Sequence, residues 1–400
     1  MTALAGRHVV LGVSGGIACY KACTVARRLT EAGVAVDVVM TAAAAEFIQP
    51  VTFEALTGRP VVTSLWQPGR ALDHVRLGRD PDLIIVAPAT AHLLARMAQG
   101  LADDFLTALL LARRAPALLC PAMNDQMWAH AETQRNVTTL RSADRVVLLG
   151  PATGPLAHGE GEGPGRMVEP EEICEWAERI VRRAPPWVGR RVVVTAGPTL
   201  EALDPVRVIG NRSSGRMGYE LARAAWRRGA DVTLLSGPAT LPVPAGVEVA
   251  RIETTRQLYD AVERALPTAD VLIMAAAPAD WRPARVEAAK VKRAEGARTL
   301  TLEPTEDILL GTAARRKKDA VVVGFALESG DPVAAAREKL ARKGLHMVVA
   351  NDATAPGAGP GVATNQVTIV TQRGAEPLPL RSKADVAEQI LDRVGALLAQ

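Results

Sequence analysis

Residues 8–13 read HVVLGV and lead directly into Ser14-Gly-Gly-Ile17. The run is continuously apolar and lacks the two-residue alternation of a half-exposed strand, so it predicts a strand covered on both faces. The glycines after it predict a tight turn, and this turn starts a helix whose first N–H groups are free to bind an anion. A strand, a glycine turn and a helix in this order indicate a parallel α/β sheet.

Similar apolar runs recur along the chain, separated by longer Ala/Arg/Glu segments of helical period. Because these runs also lack alternation, we expect them to be buried strands of mainly parallel sheets. In the first half the runs span residues 8–13, 34–40, 82–87, 116–120 and 145–149. In the second half they span residues 191–195, 230–235, 269–275, 320–325, 345–350 and 366–370.

A short segment, RRAPPWVGR at Arg182–Arg190, separates the two sets of runs. Its prolines stop a helix and its glycine precedes the next strand, so we predict two domains, 1–184 and 185–400. Residues 150–166 contain six glycines and three prolines. That composition excludes a helix or a central strand and predicts a mobile loop or flap.

The composition excludes several classes of protein. Only 3% of the residues are aromatic and the net charge is +4, which argues against a nucleic-acid-binding surface. Four scattered cysteines do not form a disulfide framework, and Cys19 and Cys23 are expected to be buried on one face of the first helix. Without a long apolar span or a signal-peptide pattern, we expect a cytoplasmic protein with no membrane segment.

Polar residues follow several strands of the predicted first sheet. Ser14, Gly15 and Gly16 follow the first strand, Thr41 follows the second, and Thr90 follows the third. Because open α/β sheets bind ligands at the carboxyl ends of their strands, these residues predict a site for a phosphate-bearing cofactor. The glycine spacing is not GxGxxG, so a dinucleotide is not the expected ligand.

Four motifs of the first half occur in a fixed order: SGGIA at 14–18, APATA at 87–91, PAMN at 121–124 and GPGRM at 163–167. They resemble the flavin-dependent cysteine decarboxylases, above all the phosphopantothenoylcysteine decarboxylase half of the bifunctional bacterial coenzyme A enzymes. The resemblance implies a flavodoxin-like domain that binds FMN and loses CO2 from a cysteine amide. It implies that His74 acts on the cysteine-derived end of the substrate and that Asn124 holds its carboxylate. The implied FMN-binding residues are Ser14, Gly15, Gly16, Thr41, Pro88 and Thr90.

The flap departs from this family pattern. Relatives carry a cysteine there as the proton donor for the final reduction, whereas this chain has His158 in AHGEGEGPGRM at 157–167. An imidazole has an ordinary pKa of about 6.5 and can donate a proton near neutral pH, and Glu160 or Glu162 would raise that pKa if nearby. Alternatively, His158 is a solvated residue without a chemical role, and the first half stops at the ene-thiol.

A second group of motifs predicts a nucleotide site in the second half. TAGPT at 195–199, DPVR at 204–207 and NRSSGRMG at 211–218 combine glycine turns and hydroxyls before a predicted helix at 214–229. Lys339 and Lys343 are spaced to share one helical face, where like charges repel unless an anion binds between them.

These motifs resemble the phosphopantothenate–cysteine ligase half of the same bifunctional enzymes, with Arg216 where lysine is usual. The resemblance implies a Rossmann-like domain in which CTP and Mg2+ activate the carboxylate of 4'-phosphopantothenate as an acyl-cytidylate, which cysteine then attacks. It implies that Asn211 steadies this intermediate and that Lys290 neutralises phosphate. The implied CTP-binding residues are Ala275, Asp280, Lys290, Asp307, Ile308, Phe325, Lys339 and Lys343.

The sequence therefore predicts an α/β chain of two doubly wound, mainly parallel-sheet domains that catalyse consecutive reactions. The resemblance implies a homo-oligomer built from trimers of the first half and dimers of the second. Two alternatives remain open at this point. The ligase half is active while the flavin half is impaired, or the flavin half is a regulatory binding module.

Overall fold

The computed structural model describes residues 4–66, 72–159, 161–292, 299–328, 330–352, 354–359 and 361–400. The chain divides into two compact units, Met1–Arg182 and Arg183–Gln400. This division lies two residues before the sequence-based boundary. Each unit is an α/β structure with a sheet between helices.

Strands and helices alternate through most of the first unit. Its strands are β1 (His8–Val13), β2 (Ala35–Met40), β3 (Leu83–Ala89), β4 (Ala117–Pro121), β5 (Val146–Leu148), β6 (Ala152–Pro155) and β7 (Glu162–Arg166). Its helices are α1 (Cys19–Glu31), α2 (Ala42–Ala45), α3 (Pro50–Thr57), α4 (Asp73–Arg79), α5 (Ala91–Gln99), α6 (Phe105–Ala112), α7 (Asp125–Ala129), α8 (Ala131–Ser142) and α9 (Pro170–Arg182).

The sheet of the first unit has the order β2-β1-β3-β4-β5, and every neighbouring pair is parallel. This is the flavodoxin-like order of a doubly wound fold, with its topological switch between β1 and β3. Successive side chains of β1 belong to the hydrophobic cores on the two faces of the sheet. Val9 and Leu11 pack with α1 and α9, whereas Val10 packs with α5 and α6. Burial on both faces explains why the strands read as unbroken apolar runs.

The structure corrects the expectation that residues 150–166 are a loop. β6 and β7 form an antiparallel hairpin, separate from the central sheet. Glycine weakens a strand of a packed sheet because it has no side chain to bury. In this hairpin, by contrast, glycine allows the backbone to approach its neighbours closely. A Cβ atom at Gly163 would stand 2.9 Å from Cβ of Asp125, so the missing side chain allows a close approach to the start of α7.

The second unit contains one large sheet and several two-stranded ribbons. Its strands are β8 (Arg191–Ala196), β9 (Leu200–Ala202), β10 (Val208–Gly210), β11 (Asp231–Ser236), β12 (Glu248–Arg251), β13 (Val271–Met274), β14 (Trp281–Pro283), β15 (Leu302–Pro304), β16 (Val321–Glu328), β17 (Met347–Asp352), β18 (Thr364–Asn365), β19 (Thr368–Thr371), β20 (Gly374–Pro377) and β21 (Arg381–Ser382). Its α-helices are α10 (Arg216–Arg227), α11 (Thr255–Ala265), α12 (Ile308–Gly311), α13 (Pro332–Arg342) and α14 (Lys383–Leu398).

The large sheet has the order β12-β11-β8-β13-β16-β17-β19-β20. Its first six strands are parallel and the last two pairings are antiparallel. The parallel part has the Rossmann order, and its topological switch lies between β8 and β13. Helix α10, predicted at residues 214–229, spans Arg216–Arg227. The prediction of two doubly wound, mainly parallel sheets is confirmed.

Two further observations bear on the sequence-based expectations. Cys19, Cys120 and Cys174 are buried free thiols, and burial raises the pKa of the Cys174 thiol to about 12. Among the described residues, no helix combines the length and the apolar character that a membrane crossing requires.

Candidate functional site

In the first unit, Ser14 connects the ends of β1 and β3. Its hydroxyl donates to the Pro88 carbonyl oxygen at 2.8 Å and accepts from the Thr90 backbone N–H at 3.1 Å. The Ser14 residue is only 2% exposed, so its hydroxyl is used mainly to hold the two loops together. Three of the predicted FMN-binding residues are therefore in direct contact.

Further hydrogen bonds extend this connection to all four motifs of the first half. Ala122 N–H donates to the Ala89 carbonyl at 3.1 Å, which joins PAMN to APATA. Met123 N–H donates to the Gly165 carbonyl at 3.0 Å, which joins PAMN to GPGRM. Lys21 Nζ donates to the Met167 carbonyl at 2.8 Å and so returns from GPGRM to the helix that follows SGGIA. The four motifs and Lys21 together form one closed ring of contacts.

The turn after β2 joins the same edge of the sheet. A Cβ atom at Gly15 would stand 2.5 Å from Cβ of Ala43, so only glycine allows the β1 turn to approach α2 this closely. Thr41 and Thr90 cap α2 and α5, accepting from the backbone N–H groups of Ala44 and Leu93. A Cβ atom at Gly16 would make an ordinary van der Waals contact of 3.6 Å with Thr90 Cγ2, so the β1 turn and the start of α5 lie side by side.

His74 and Asn124, the two predicted substrate-binding residues, are both half-buried. His74 lies on α4, edge-on to Phe105 with 6.3 Å between the ring centroids. Its Nδ1 is buried and has no hydrogen-bond partner among the described residues, an unusual state for a buried polar atom. Asn124 follows β4 and accepts from the Gln126 N–H at 2.9 Å through its side-chain oxygen, which leaves its amide NH2 as a donor.

His158 lies in the turn of the hairpin and is exposed. The turn is closed by a bond from Leu156 N–H to the Gly161 carbonyl at 2.9 Å. Glu162, one of the two carboxylates expected near His158, begins β7 and is also exposed, whereas Glu160 lies outside the described residues.

The first-unit residues fit a bound FMN in their chemistry. Hydroxyls and helix-start N–H groups gather at the carboxyl ends of β1, β2 and β3, where a phosphate is well stabilised. Gly15 lets the β1 turn approach the start of α2, which brings these loops together.

The second unit contains a cleft of about 750 Å³. It lies at the carboxyl ends of β13, β16 and β17, the edge of an open α/β sheet where ligands bind. The cleft is lined by the Ser/Gly turn at 211–217, the segment at 274–280 and residues 305–309. All the predicted CTP-binding residues except Lys290 line it: Ala275, Asp280, Asp307, Ile308, Phe325, Lys339 and Lys343.

Buried threonines fix the segment Ala275–Asp280 in this cleft. Thr195 Oγ1 accepts from the Ala276 N–H at 3.0 Å, and Thr199 Oγ1 accepts from the Ala279 N–H at 2.8 Å. Thr199 also shares a 2.8 Å hydrogen bond with Thr255, the first residue of α11. The segment thus keeps its shape through hydroxyls that lie outside the cleft lining.

Asn211 connects the two walls of the cleft. Its side-chain amide donates to the Pro278 carbonyl at 2.8 Å, so the Ser/Gly turn and the Ala275–Asp280 segment are held together. Asp280 itself is exposed to the cleft.

The predicted lysine pair has separate partners. Lys339, on α13, donates to the Phe325 carbonyl at 2.6 Å, whereas Lys343 follows the helix and lies 3.0 Å from the Asp307 carboxylate. Burial alone would raise the pKa of Asp307, but the hydrogen bonds from Lys343 and the Leu310 N–H and the charges of Lys343 and Arg342 hold it below its usual value. Both ammonium groups line the cleft.

Lys290 is exposed and does not line the cleft. Its neighbour Val291 donates a backbone N–H to Asp204 at 3.1 Å, and Arg207 donates to the Val291 carbonyl at 2.8 Å. The DPVR motif therefore holds the chain beside Lys290 rather than forming the cleft itself.

Sequence reasoning did not identify several lining residues. Lys383 begins α14 and lies in no recognisable motif, although it is buried in the cleft wall. A two-stranded ribbon of β18 and β21 brings it there, and such short strands leave little trace in the hydropathy of a sequence. Other such residues include Thr305, Glu306, Glu328 and Asn365.

Comparison with known families agrees with the division of the chain. The family model described as "Flavoprotein" matches residues 1–182. The model described as "DNA/pantothenate metabolism flavoprotein C-terminal domain" matches residues 187–398. Together they span nearly the whole chain.

Full-length relatives extend this result. The coenzyme A biosynthesis bifunctional protein CoaBC of Mycobacterium tuberculosis H37Rv is 48% identical over 98% of this chain and 97% of its own length. The Vibrio vulnificus YJ016 protein of the same name is 43% identical, with both chains covered completely. A crystal structure of the C-terminal domain of a CoaBC protein is 37% identical, covering 53% of this chain and 97% of that domain with a TM-score of 0.45. On the full-length identity, this chain belongs to the family of bifunctional coenzyme A biosynthesis proteins.

Proposed function

We propose that the second unit joins 4'-phosphopantothenate to cysteine and that the first unit decarboxylates the product to 4'-phosphopantetheine. The observation that carries the ligase assignment is the gathering of a Ser/Gly turn, the Ala275–Asp280 segment and two lysines around one cleft. The ring of contacts through the four decarboxylase motifs supports the other half.

In the ligase reaction, CTP is the co-substrate that turns a carboxylate into an acyl donor. The carboxylate of 4'-phosphopantothenate attacks the α-phosphorus of CTP, pyrophosphate leaves, and the amine of cysteine then displaces CMP from the acyl-cytidylate. Lys339 and Lys343 neutralise the phosphate charge, and Asp280, Ile308 and Phe325 hold the nucleotide. Asn211 steadies the acyl-cytidylate from the wall that it shares with Pro278.

Two further features of the ligase assignment extend the proposal. Lys290 belongs to a chain segment beside the cleft and reaches phosphate when the substrates are bound. Mg2+ binds together with the triphosphate of CTP, because this ion is commonly coordinated by one or two carboxylates and by substrate phosphates. It partly neutralises the negative charge of the phosphates.

The first unit supplies the binding groups for the decarboxylation. FMN, when bound at Ser14–Gly16, Thr41, Pro88 and Thr90, supplies the hydride acceptor and donor that the reaction at the sulfur-bearing carbon needs. The Asn124 amide NH2 donates to the substrate carboxylate. His74 acts on the cysteine-derived end of the substrate through a ring whose Nδ1 has no partner among the described residues. His158 donates the proton that completes the reduction.

Two properties of the assembled protein belong to the same proposal. We propose a homo-oligomer in which the first units form trimers and the second units form dimers. Exposed apolar side chains near the β1 and β2 turns, among them Ile17, Tyr20 and Phe47, support such contacts. We also propose that the protein acts in the cytoplasm, where its nucleotide co-substrate is available.

The test is a reconstitution with the full chain. The protein is incubated with 4'-phosphopantothenate, cysteine, CTP, Mg2+ and FMN, and the products are followed by mass spectrometry. We expect pyrophosphate, CMP and 4'-phosphopantetheine. Product that stops at phosphopantothenoylcysteine or its ene-thiol would overturn the decarboxylase half alone, and the absence of any CTP-dependent amide would overturn the ligase half.

A further inference from the structure

Lys383 is a buried cation in the wall of the ligase cleft. It is the first residue of α14, directly after the N-cap Ser382, and the residue is only 4% exposed. Its backbone N–H donates to the Ala363 carbonyl at 2.9 Å, and its Nζ donates to the Gly359 carbonyl at 2.9 Å. These bonds fix the position of the ammonium group at the cleft surface, which both Lys383 and Gly359 line.

The ammonium group lacks a counter-ion within the part of the chain that the structure describes. An isolated charge is costly to bury, and buried charges are normally paired. Lys21, which is buried to a similar degree at 5% exposure, follows this rule, since its Nζ lies 3.0 Å from the Glu169 carboxylate. Lys343, in the same cleft as Lys383, is paired with Asp307. Lys383 has no such carboxylate among the described residues.

The neighbouring charge is also positive. Arg216, the first residue of α10, lines the same cleft and forms no ion pair with any described residue. Burial and the charge of Arg216 both lower the pKa of Lys383. The two side chains therefore leave a local excess of positive charge at the start of two helices, whose N-terminal ends add to it.

We propose that Lys383 binds a phosphate group of a ligase substrate, which is the counter-ion that the described residues lack. An ammonium group has three N–H donors, and the Gly359 carbonyl uses one of them, so two remain for phosphate oxygens. The proposal rests on the assigned ligase function and adds a binding residue to it. Both CTP and 4'-phosphopantothenate carry phosphate, so the experiment has to distinguish them.

The experiment uses Lys383→Met, Lys383→Arg and the wild type as full chains, with amide formation measured at varied CTP and at varied 4'-phosphopantothenate. We expect Lys383→Met to raise KM for one of the two phosphate substrates by about 10- to 100-fold, the usual weight of a hydrogen bond to a charged group. The arginine variant keeps the charge and should recover part of the loss. The substrate whose KM rises identifies the source of the phosphate, and the KM for cysteine should stay the same.

Binding and stability are measured in parallel without turnover. Calorimetric titration with CTP and with inorganic pyrophosphate reports a triphosphate site directly, and the melting temperature of the ligand-free protein reports the fold. Because an unpaired buried charge is removed, Lys383→Met should melt within about 2 °C of the wild type or above it. Lys318→Met is the matched control, since Lys318 is exposed and follows Lys317 at the opposite end of the sheet.

The outcomes separate this inference from the assigned function. If the wild type forms the amide and Lys383→Met keeps both phosphate-substrate KM values, the phosphate site is wrong and the ligase assignment stands. A fall in kcat and melting temperature with unchanged KM would show that Lys383 only supports the loop at Gly359, which also overturns the proposal. If Lys383→Met does not fold, Lys383→Gln is titrated with CTP, pyrophosphate and 4'-phosphopantothenate, and wild-type affinity for all three would overturn the proposal.

Discussion

Gly165 lies so close to Met123 that a Cβ atom at Gly165 would stand 2.2 Å from the Met123 carbonyl oxygen. The two residues are also joined by the bond from Met123 N–H to the Gly165 carbonyl. The contact is between backbones, so neither side can move away by changing a rotamer. The hairpin of β6 and β7 therefore packs on the loop before Asn124 only because residue 165 has no side chain.

We predict that Gly165→Ala abolishes most of the decarboxylation and leaves amide formation unchanged. The added methyl group must push the hairpin off the loop that presents Asn124, and a misplacement of about 1 Å can cost 100-fold in rate. Both reactions are measured in one sample by mass spectrometry. Gly361→Ala is the control, because the backbone of Gly361 is outside the left-handed region and a Cβ atom there meets no atom within 4 Å. Equal rates for Gly165→Ala and the wild type would contradict the close packing.

His158 should be replaceable by another acid in the same turn. We predict that His158→Ala accumulates the ene-thiol, with a rate of 4'-phosphopantetheine formation lower by about 100-fold, the usual weight of general acid catalysis. His158→Cys should recover part of this rate, because a thiol can also donate a proton. Ordinary product formation by His158→Ala would show that the proton comes from elsewhere.

Lys339 should be essential for nucleotide binding. We predict that Lys339→Met lowers kcat/KM for CTP by about 100-fold, because a charge-assisted contact to phosphate is lost. Pyrophosphate release reports this step before cysteine is added. The decarboxylation of phosphopantothenoylcysteine by the first unit serves as the internal control, and its loss in the same variant would indicate a general folding defect.

Acid should weaken the first unit through Asp37. This carboxylate lies 2.7 Å from His8 Nε2 and 2.7 Å from Arg59 Nε. Burial alone would raise the pKa of Asp37, but the hydrogen bonds and charges of His8 and Arg59 hold it well below its usual value. Because the pKa of Asp37 is lower in the folded than in the unfolded chain, its ionised form stabilises the fold. This contribution is complete at pH values above the unfolded pKa of about 3.9 and is lost as the pH falls below it.

We therefore predict that Asp37→Asn destabilises the first unit by about 1–3 kcal/mol at pH 7 and that the difference from the wild type shrinks below about pH 4. Hydrogen exchange of peptides that cover β2 measures this local stability in the full chain. Asp80→Asn, an exposed residue after α4, is the control. A difference that grows as the pH falls would contradict the direction of the pKa change.

The strands were predictable because burial on both faces leaves an unbroken apolar run, as in residues 191–195 of β8. The edge strand β12, with the sequence EVAR at Glu248–Arg251, was not predicted. It pairs only with β11 and carries charged residues, so it lacks an apolar run. The hairpin escaped for a different reason. Its glycines are disfavoured in a strand by propensity, and only the close approach to Met123 and Asp125 explains them.

The site residues were predictable where a local sequence motif places them. They were less predictable where only the tertiary structure brings them to the site. Ser14 and Thr90 follow strands that end at one edge, so the parallel topology brings them together. Lys383 reaches the ligase cleft through the pairing of β18 with β21, which no local pattern indicates. For Lys290 the family resemblance implied a place in the nucleotide site. In the structure Lys290 does not line the cleft, and its neighbour Val291 is bonded to Asp204.

The hairpin ladder ends at the pair of Pro155 with Glu162, and one bond from Leu156 to Gly161 closes the turn beyond it. The base of the hairpin is held by the tight glycine contacts, but the described residues of the turn take no part in them. The length and side-chain chemistry of the tip can therefore change without disturbing the packing of β7 on the loop before Asn124. In evolutionary terms, the role that we propose for His158 makes the proton donor an interchangeable part, so that an imidazole can replace a thiol while the rest of the unit is inherited intact.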